Sequence, residues 1–356
     1  MGNYIQPQQI SLFDALQDRR IAERERVKRL RHIYYHIISV QNLLVSWQEF
    51  LRGKRKRLDV ADFSVHFMDN IVALHQELKE KSYRHGPYQA FKINDPKPRD
   101  IHKASVRDRL LHHAVHRILY PYFDRRFIYQ SCSCRLGNGT HLAIHCFRNF
   151  SRKVSLNNTR TCWILKGDIR KFFANIDHVI LKDILARYID DADTLWLLNQ
   201  VLDSFHTQHK VGVGLPLGNL TSQLLVNIYM NEFDQFVKRE LRVKYYIRYA
   251  DDFVLLSEDR EYLVNLIPRL AEFLGARLML SLHPDKLFLK TLALGVDFLG
   301  WVQFPHYRVL RTSTKQRMFK KLDRRNKAVS IISYLGLLSH GNTYKLRQGI
   351  VEKFKK

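Results

Sequence analysis

Apolar positions recur with helical spacing through much of the chain and change to strand-like runs in a few places. Residues 11–40 contain the mixed-charge stretch DRRIAERERVKRLRHIYYHII, free of Pro and Gly. Its apolar residues Ile21, Val27, Leu30, Ile33, Tyr34 and Ile37 predict one long charged helix. This arm either packs one face on the body or contacts RNA or a partner protein. FLRGKRKRL then reads as a basic loop before a helix start, with Asp59 or Asp62 as cap candidates. SVHFMDNIVALHQELKEKSY reads as an amphipathic helix. GPYQAFKINDPKPRDIHKAS is rich in turn residues, with a short strand on either side. Residues 105–124 predict a helix ending near Pro121, and SCSCRLGNGTHLAIHCFRNFSRK a glycine-containing loop that enters a helix.

From residue 161 the pattern becomes more regular. TCWILKGD is a strand ending in a charge, HVILKDILARYI a helix and VGVGLPLGN a Gly/Pro loop. LTSQLLVNIYMNEFDQFVKREL is a long helix and YYIRYADDFVLLS reads as strand, turn, strand. YLVNLIPRLAEFLGARLML is helical at first, and LSLHPDKLFLK and VDFLGWVQF look like strands. The order strand, helix, helix, hairpin, helix, strands predicts an α+β fold with helices on one face of an antiparallel sheet.

Composition narrows the partner. The chain has 356 residues, 59 of them Lys or Arg against 34 Asp or Glu, for a formal net charge of +25 and a pI near 10. That balance favours a polyanion, and nucleic acid above all, although ribosomal and membrane-surface proteins share it. No apolar run approaches the ~20 residues of a membrane span, so no membrane partner is expected. The N-terminus lacks the basic start and apolar core of a signal peptide, and Gln6 stands where a myristoylation signal has Ser or Thr. Four cysteines do not make a disulfide framework or a zinc site. A cytoplasmic location is expected.

Three acids stand out. Asp251 and Asp252 sit at the tip of the predicted hairpin, and Asp168 ends an apolar strand 83 residues earlier. Aspartate is also an ordinary hairpin-tip residue, so a lone pair would mean little. If the two strands are neighbours in one sheet, however, all three carboxylates converge. Clustered carboxylates repel unless a cation neutralises them, and hard oxygen ligands suit Mg²⁺. Two such ions about 4 Å apart can assist phosphoryl transfer.

At this point the sequence resembles the reverse transcriptases. YADD followed by FVLL resembles their hairpin motif, GDIRKFFANID the first-aspartate motif and GLPLGNLTSQLLVNIYMNEFD the loop and helix between them. HPDKLFL resembles the lysine-bearing motif, VDFLGW the primer grip and KPRDIHKASVRDRLLHHAV the fingers segment. The resemblance spans residues 45 to 305 and implies a right hand of fingers, palm and thumb. It places a helical basic N-terminal extension at 1–40 and fingers with part of the palm at 41–160. The palm, with the 205–220 loop, would be 161–305 and a short helical thumb 306–356. It implies Asp168, Asp251 and Asp252 as metal ligands and catalytic residues, with the carbonyl of Ile169 as a further ligand to two Mg²⁺ ions, or Mn²⁺ as their substitute. Phe173 matches the steric gate against a 2′-hydroxyl, with Phe172 in the core. Arg99, with Lys97, matches the triphosphate contact. Lys286 matches the lysine that protonates pyrophosphate, although a solvated surface lysine would look the same. Phe298, Leu299 and Gly300 match the primer grip.

Within that family, Leu217, Gly218, Ser222 and Gln223 resemble the enzymes of diversity-generating retroelements. There a template-repeat RNA is copied with errors at adenines, and the cDNA diversifies a target gene. An aliphatic Leu217 where many relatives carry glutamine removes a polar contact near the nascent pair, which weakens discrimination. The resemblance implies template RNA, an RNA/cDNA duplex and dNTPs as partners, with a small basic accessory protein, in a bacterial, archaeal or phage-encoded system. Another bacterial reverse transcriptase, such as a phage-defence enzyme, and a non-catalytic RNA-binding scaffold are the alternatives. The scaffold would have no need for mutually repelling carboxylates. RTSTKQRMFKKLDRRNKAVS reads as a basic helix able to lie along a duplex, and no RNase H or endonuclease segment is expected.

Overall fold

Helices and antiparallel strands build the chain, in large part where the apolar spacing predicts them. The computed structural model describes residues 29–94, 98–208, 210–325 and 328–353. The chain divides into two compact units, each built from separate stretches. One comprises residues up to Tyr122 with Asp177–Leu225, and the other Phe123–Ile176 with Val226 onward.

In the first unit, most of the predicted charged arm lies outside the described residues. Its described end is not one helix. Leu30 bridges to Ile189, His32 has a positive φ of 53°, and helix Tyr34–Ile38 stops at Ser39. Ser39 is extended and its side chain accepts from Asn42 N–H, which starts helix Val40–Phe50. A hydroxyl that caps the next helix interrupts this one. Helix Leu58–Val65 begins after Arg57, so neither Asp59 nor Asp62 caps it; Asp59 instead pairs with Lys103 at 2.7 Å and with Arg109 at 2.5 Å. Helix Phe67–Lys79 follows, then the hairpin of β1 (Gln89–Ile93) and β2 (Arg99–Lys103). Helix Val106–Asp124 runs through Pro121 and ends three residues beyond it, with Tyr120 and Phe123 buried on either side. Proline costs one backbone bond there, and packing of those rings offsets it. Helix Ala192–Asp203, which the sequence reading passes over, is capped by Asp191 accepting from Thr194 N–H and buries Leu197, Leu198, Val201 and Leu202.

The second unit is built on a four-stranded antiparallel sheet. Its strands are β3 (Trp163–Asp168), β4 (Tyr246–Tyr249), β5 (Asp252–Ser257) and β6 (Phe288–Thr291), in the order β4-β5-β3-β6. The expectation of helices on one face is corrected: both faces are covered. Ile164, Ile247, Val254 and Leu256 pack with Ala143, Cys146 and Phe147 of helix Thr140–Val154. Phe253 meets Phe233 of helix Leu220–Gln235, whose ring also meets Phe273 of helix Arg260–Leu278. The physical reason is in the strands, where FVLL and WIL are continuous apolar runs rather than alternations, so both sides need cover. A second sheet holds β7 (Val296–Phe298), β8 (Trp301–Gln303) and β9 (Arg308–Leu310). Trp301 and Leu310 share a core with Met318 and Leu322 of helix Thr312–Arg325, Leu338 of helix Ala328–Leu338 and Ile350 of helix Tyr344–Lys353. Helix 312–325 is therefore amphipathic, with Lys315, Lys320 and Lys321 exposed.

Candidate active site

β3 and β5 pair in a register that sets Asp168 opposite Asp252. Directly opposed residues of an antiparallel pair lie about 5 Å apart at Cα, so the two carboxylates meet at one sheet end. The hairpin closes with Tyr249 opposite Asp252, leaving Ala250 and Asp251 as a two-residue turn. Ala250 takes a positive φ of 56°, as the primed hairpin turns require at their first position. Ile169 N–H donates to the Asp251 carbonyl at 3.2 Å, which ties the turn to the end of β3. One residue before Asp168, a Cβ on Gly167 would overlap the Phe253 ring on the neighbouring strand. The close pairing that aligns the aspartates therefore requires glycine there.

Two lysines hold the carboxylates. Lys286, on the short 3₁₀ turn Pro284–Lys286, donates from Nζ to Asp168 Oδ1 at 2.8 Å. Lys166 Nζ lies 3.6 Å from Asp252 Oδ1 and donates to the Asp297 carbonyl at 3.1 Å. Asp168 is 6% exposed, and its backbone carbonyl accepts from His283 N–H at 2.7 Å. Burial, then the charges of Asp168 and Asp252, push the Asp251 carboxyl up to about 6. Burial also raises Asp252, with Asp168 adding to it and Lys166 opposing. Among the described residues no three His, Cys, Asp or Glu side chains form a ready-made metal cage. The donor chemistry nevertheless fits a hard divalent cation, because the hairpin carboxylates are juxtaposed, partly buried and raised in pKa.

Beneath the turn lies a buried network that sequence reasoning missed. Arg248, 1% exposed on β4, forks onto Asp234 with Nε–Oδ1 at 2.8 Å and Nη2–Oδ2 at 2.7 Å. The same guanidinium donates to Asn227 Oδ1, to Ser131 Oγ and, at 3.1 Å, to the Ala250 carbonyl in the turn. Tyr246 donates its hydroxyl to Asp234 Oδ1. A charge at an inward position of an apolar strand was the available signal.

Phe173 is half-buried in the 3₁₀ turn Phe172–Asn175, its ring edge-on to the buried Phe172. Phe298 is fully buried and stacks on Phe147, so only the Leu299–Gly300 turn, both residues at positive φ, reaches the surface. In the first unit, Arg99 is exposed on β2. The loop of Leu217, Gly218 and Asn219 lies along that strand. His102 N–H donates to the Leu217 carbonyl at 3.0 Å, and Asn219 Nδ2 donates to the His102 carbonyl at 2.7 Å. Gly218, at φ 104°, would bring a Cβ to 2.9 Å from Ile101. Gln223 is half-buried in the first turn of helix Leu220–Gln235. Lys97 lies outside the described residues.

Residues 92–303 match the family model described as reverse transcriptase (RNA-dependent DNA polymerase). The chain is 27% identical to Protein YkfC of Escherichia coli over 64% of its own length and 69% of that protein's. It is 30% identical to the group II intron-encoded protein LtrA of Lactococcus lactis over 60% of its length, which is 34% of LtrA. It is also 27% identical, over 27% of its length and 12% of the relative's, to nuclear intron maturase 1 of Arabidopsis thaliana. The chain thus spans about a third of the intron-encoded LtrA. No described helix is long and apolar enough to cross a membrane.

Proposed function

The chain belongs to the reverse transcriptase (RNA-dependent DNA polymerase) family, a membership that implies the right-hand polymerase fold, and from that premise we propose that the Asp168–Asp251–Asp252 centre extends a primer along an RNA template. The observation that carries this reading is the register of Asp168 against Asp252, with Asp251 in the adjoining turn.

The three carboxylates and the Ile169 carbonyl would hold two Mg²⁺ ions, or Mn²⁺ in their place. Bound there, the cations supply activation of the attacking 3′-hydroxyl and neutralise charge on the leaving phosphate. Lys286, which donates to Asp168 here, would turn to the pyrophosphate and give it a proton once that carboxylate is otherwise engaged. Lys166 keeps its hold on Asp252 from below. Arg99 and Lys97 would bind the triphosphate, and Phe173 would exclude a 2′-hydroxyl. The Leu299–Gly300 turn would hold the primer end. Primer extension on an RNA template tests the assignment. Asp168→Ala or Asp251→Ala is expected to lower incorporation by about a thousandfold or more. Synthesis equal to wild type in either variant would sink it.

The finer reading is an error-prone enzyme of a diversity-generating retroelement, acting with a small basic accessory protein. It is supported by Leu217 within, and Gln223 just after, the loop that hydrogen bonds tie to His102 of β2. A second reading, an intron-type enzyme, is favoured by the similarity to LtrA. Sequencing cDNA separates them. Under the first, wild type misincorporates opposite template adenine and Leu217→Gln reduces those errors. Equal adenine error rates in the two proteins would leave the intron-type reading.

A further inference from the structure

At the far end of β8 from the Leu299–Gly300 turn, the second unit has a cavity of about 460 Å³, lined by Arg148, Gln303, His306, Tyr307, Arg308 and His340 among others. We propose that this cavity is a binding site for a phosphate group, separate from the aspartate centre.

Several independent features point to an anion. No aspartate or glutamate lines the cavity, whereas two arginines and two histidines do. Arg148 is exposed on helix Thr140–Val154. Arg308 lies over the Trp301 ring, 5.5 Å from its centroid, and donates from Nε to the His340 carbonyl, which fixes one edge of the guanidinium. Burial and the Arg148 charge lower the pKa of Arg308, and burial, His141 and Arg308 lower that of His340. The two guanidiniums repel one another, and an anion near both would relieve that, with His340 kept toward its neutral form. Gln303 is 4% exposed, and its amide Nε2 meets no acceptor among the described residues. A buried donor left unmade costs about 1–3 kcal/mol, so such a group is expected to have a use. Phe304 and Tyr307 stack at 4.8 Å along one wall, and Tyr307 is 49% exposed. That wall offers a face on which a nucleobase attached to the phosphate can lie. The ligand class is therefore a nucleotide phosphate, either free or within a nucleic-acid strand.

The test uses the full chain, two probes and three variants. GMP is titrated by calorimetry, and a fluorescein-labelled single-stranded RNA 12-mer by anisotropy. Arg148→Glu reverses an exposed charge. Gln303→Leu removes the orphaned amide at unchanged charge, and its melting temperature is expected to equal or exceed that of wild type. Arg152→Glu, an exposed change on the same helix and outside the lining, controls for the general field. Arg148→Glu and Gln303→Leu should each weaken one probe by about tenfold, with Arg152→Glu far milder. Loss confined to GMP identifies a free nucleotide as the ligand, and loss of RNA binding identifies a strand phosphate. Unchanged binding of both probes by Gln303→Leu, with Arg148→Glu no worse than Arg152→Glu, would overturn the site. Neither titration requires turnover, so this outcome is independent of the polymerase assignment.

Discussion

Asp251 carries the largest electrostatic cost at the hairpin tip. Its carboxyl is raised to about 6 because burial and two neighbouring aspartates disfavour its charge. A raised carboxylate subtracts stability once it must ionise. The cost is absent below the ordinary carboxylate pKa, grows as pH rises toward 6 and is complete above it. From the size of the shift it is at most about 3 kcal/mol, lessened by partial solvent access. Without divalent ions, Asp251→Asn should therefore melt a few degrees above wild type at pH 8, and the two curves should converge by pH 4. Mg²⁺ should raise the melting temperature of wild type at pH 8 and move that of Asp251→Asn much less. Differential scanning calorimetry with and without EDTA reads both effects. A wild type that melts higher than the variant in EDTA at pH 8 would contradict this account.

The hairpin β4–β5 works as an element because something rigid holds its turn. Arg248 joins that turn, through the Ala250 carbonyl, to Asp234 on a neighbouring helix and to Ser131. Removing one side of a buried pair leaves the other uncompensated, so Arg248→Met should cost about 3–5 kcal/mol. The triple variant Arg248→Met/Asp234→Leu/Tyr246→Phe removes the whole polar set and should regain much of that stability. It should not regain activity, because the turn then lacks its anchor. A misplacement on the scale of 1 Å costs about a hundredfold in turnover. The expected result is a folded triple variant whose kcat is depressed with the KM for dNTP little changed. Wild-type kcat in that variant would reduce the network to a purely structural role.

For the whole molecule, what the sequence made legible depends on how local the signal was. β3 and the hairpin could be read because an apolar run ends on an acid in each, and antiparallel pairing of two such strands brings Asp168 to Asp252. Arg248 could not be assigned, because its partners Asp234, Asn227 and Ser131 lie up to 117 residues away in sequence. Lys166 was equally silent, since nothing in WILKGD says that its Nζ turns toward Asp252. The covering of both sheet faces was implicit in the unalternating strands and was outweighed by the order of elements. The net charge of +25 is a sequence property whose use depends on placement. Helix Thr312–Arg325 turns Met318 and Leu322 inward and leaves Lys315, Lys320 and Lys321 in solvent. If that face lies along an RNA/DNA duplex, each lysine releases about one counterion on binding. The affinity of the full chain for such a duplex should then fall steeply between low and moderate salt. Lys315→Ala/Lys320→Ala/Lys321→Ala should lower the slope of log K against log salt by about two to three, with melting temperature little changed because these side chains are exposed. Anisotropy titrations of a labelled hybrid at several salt concentrations measure that slope. An unchanged slope in the triple variant would place the duplex on another face of the protein.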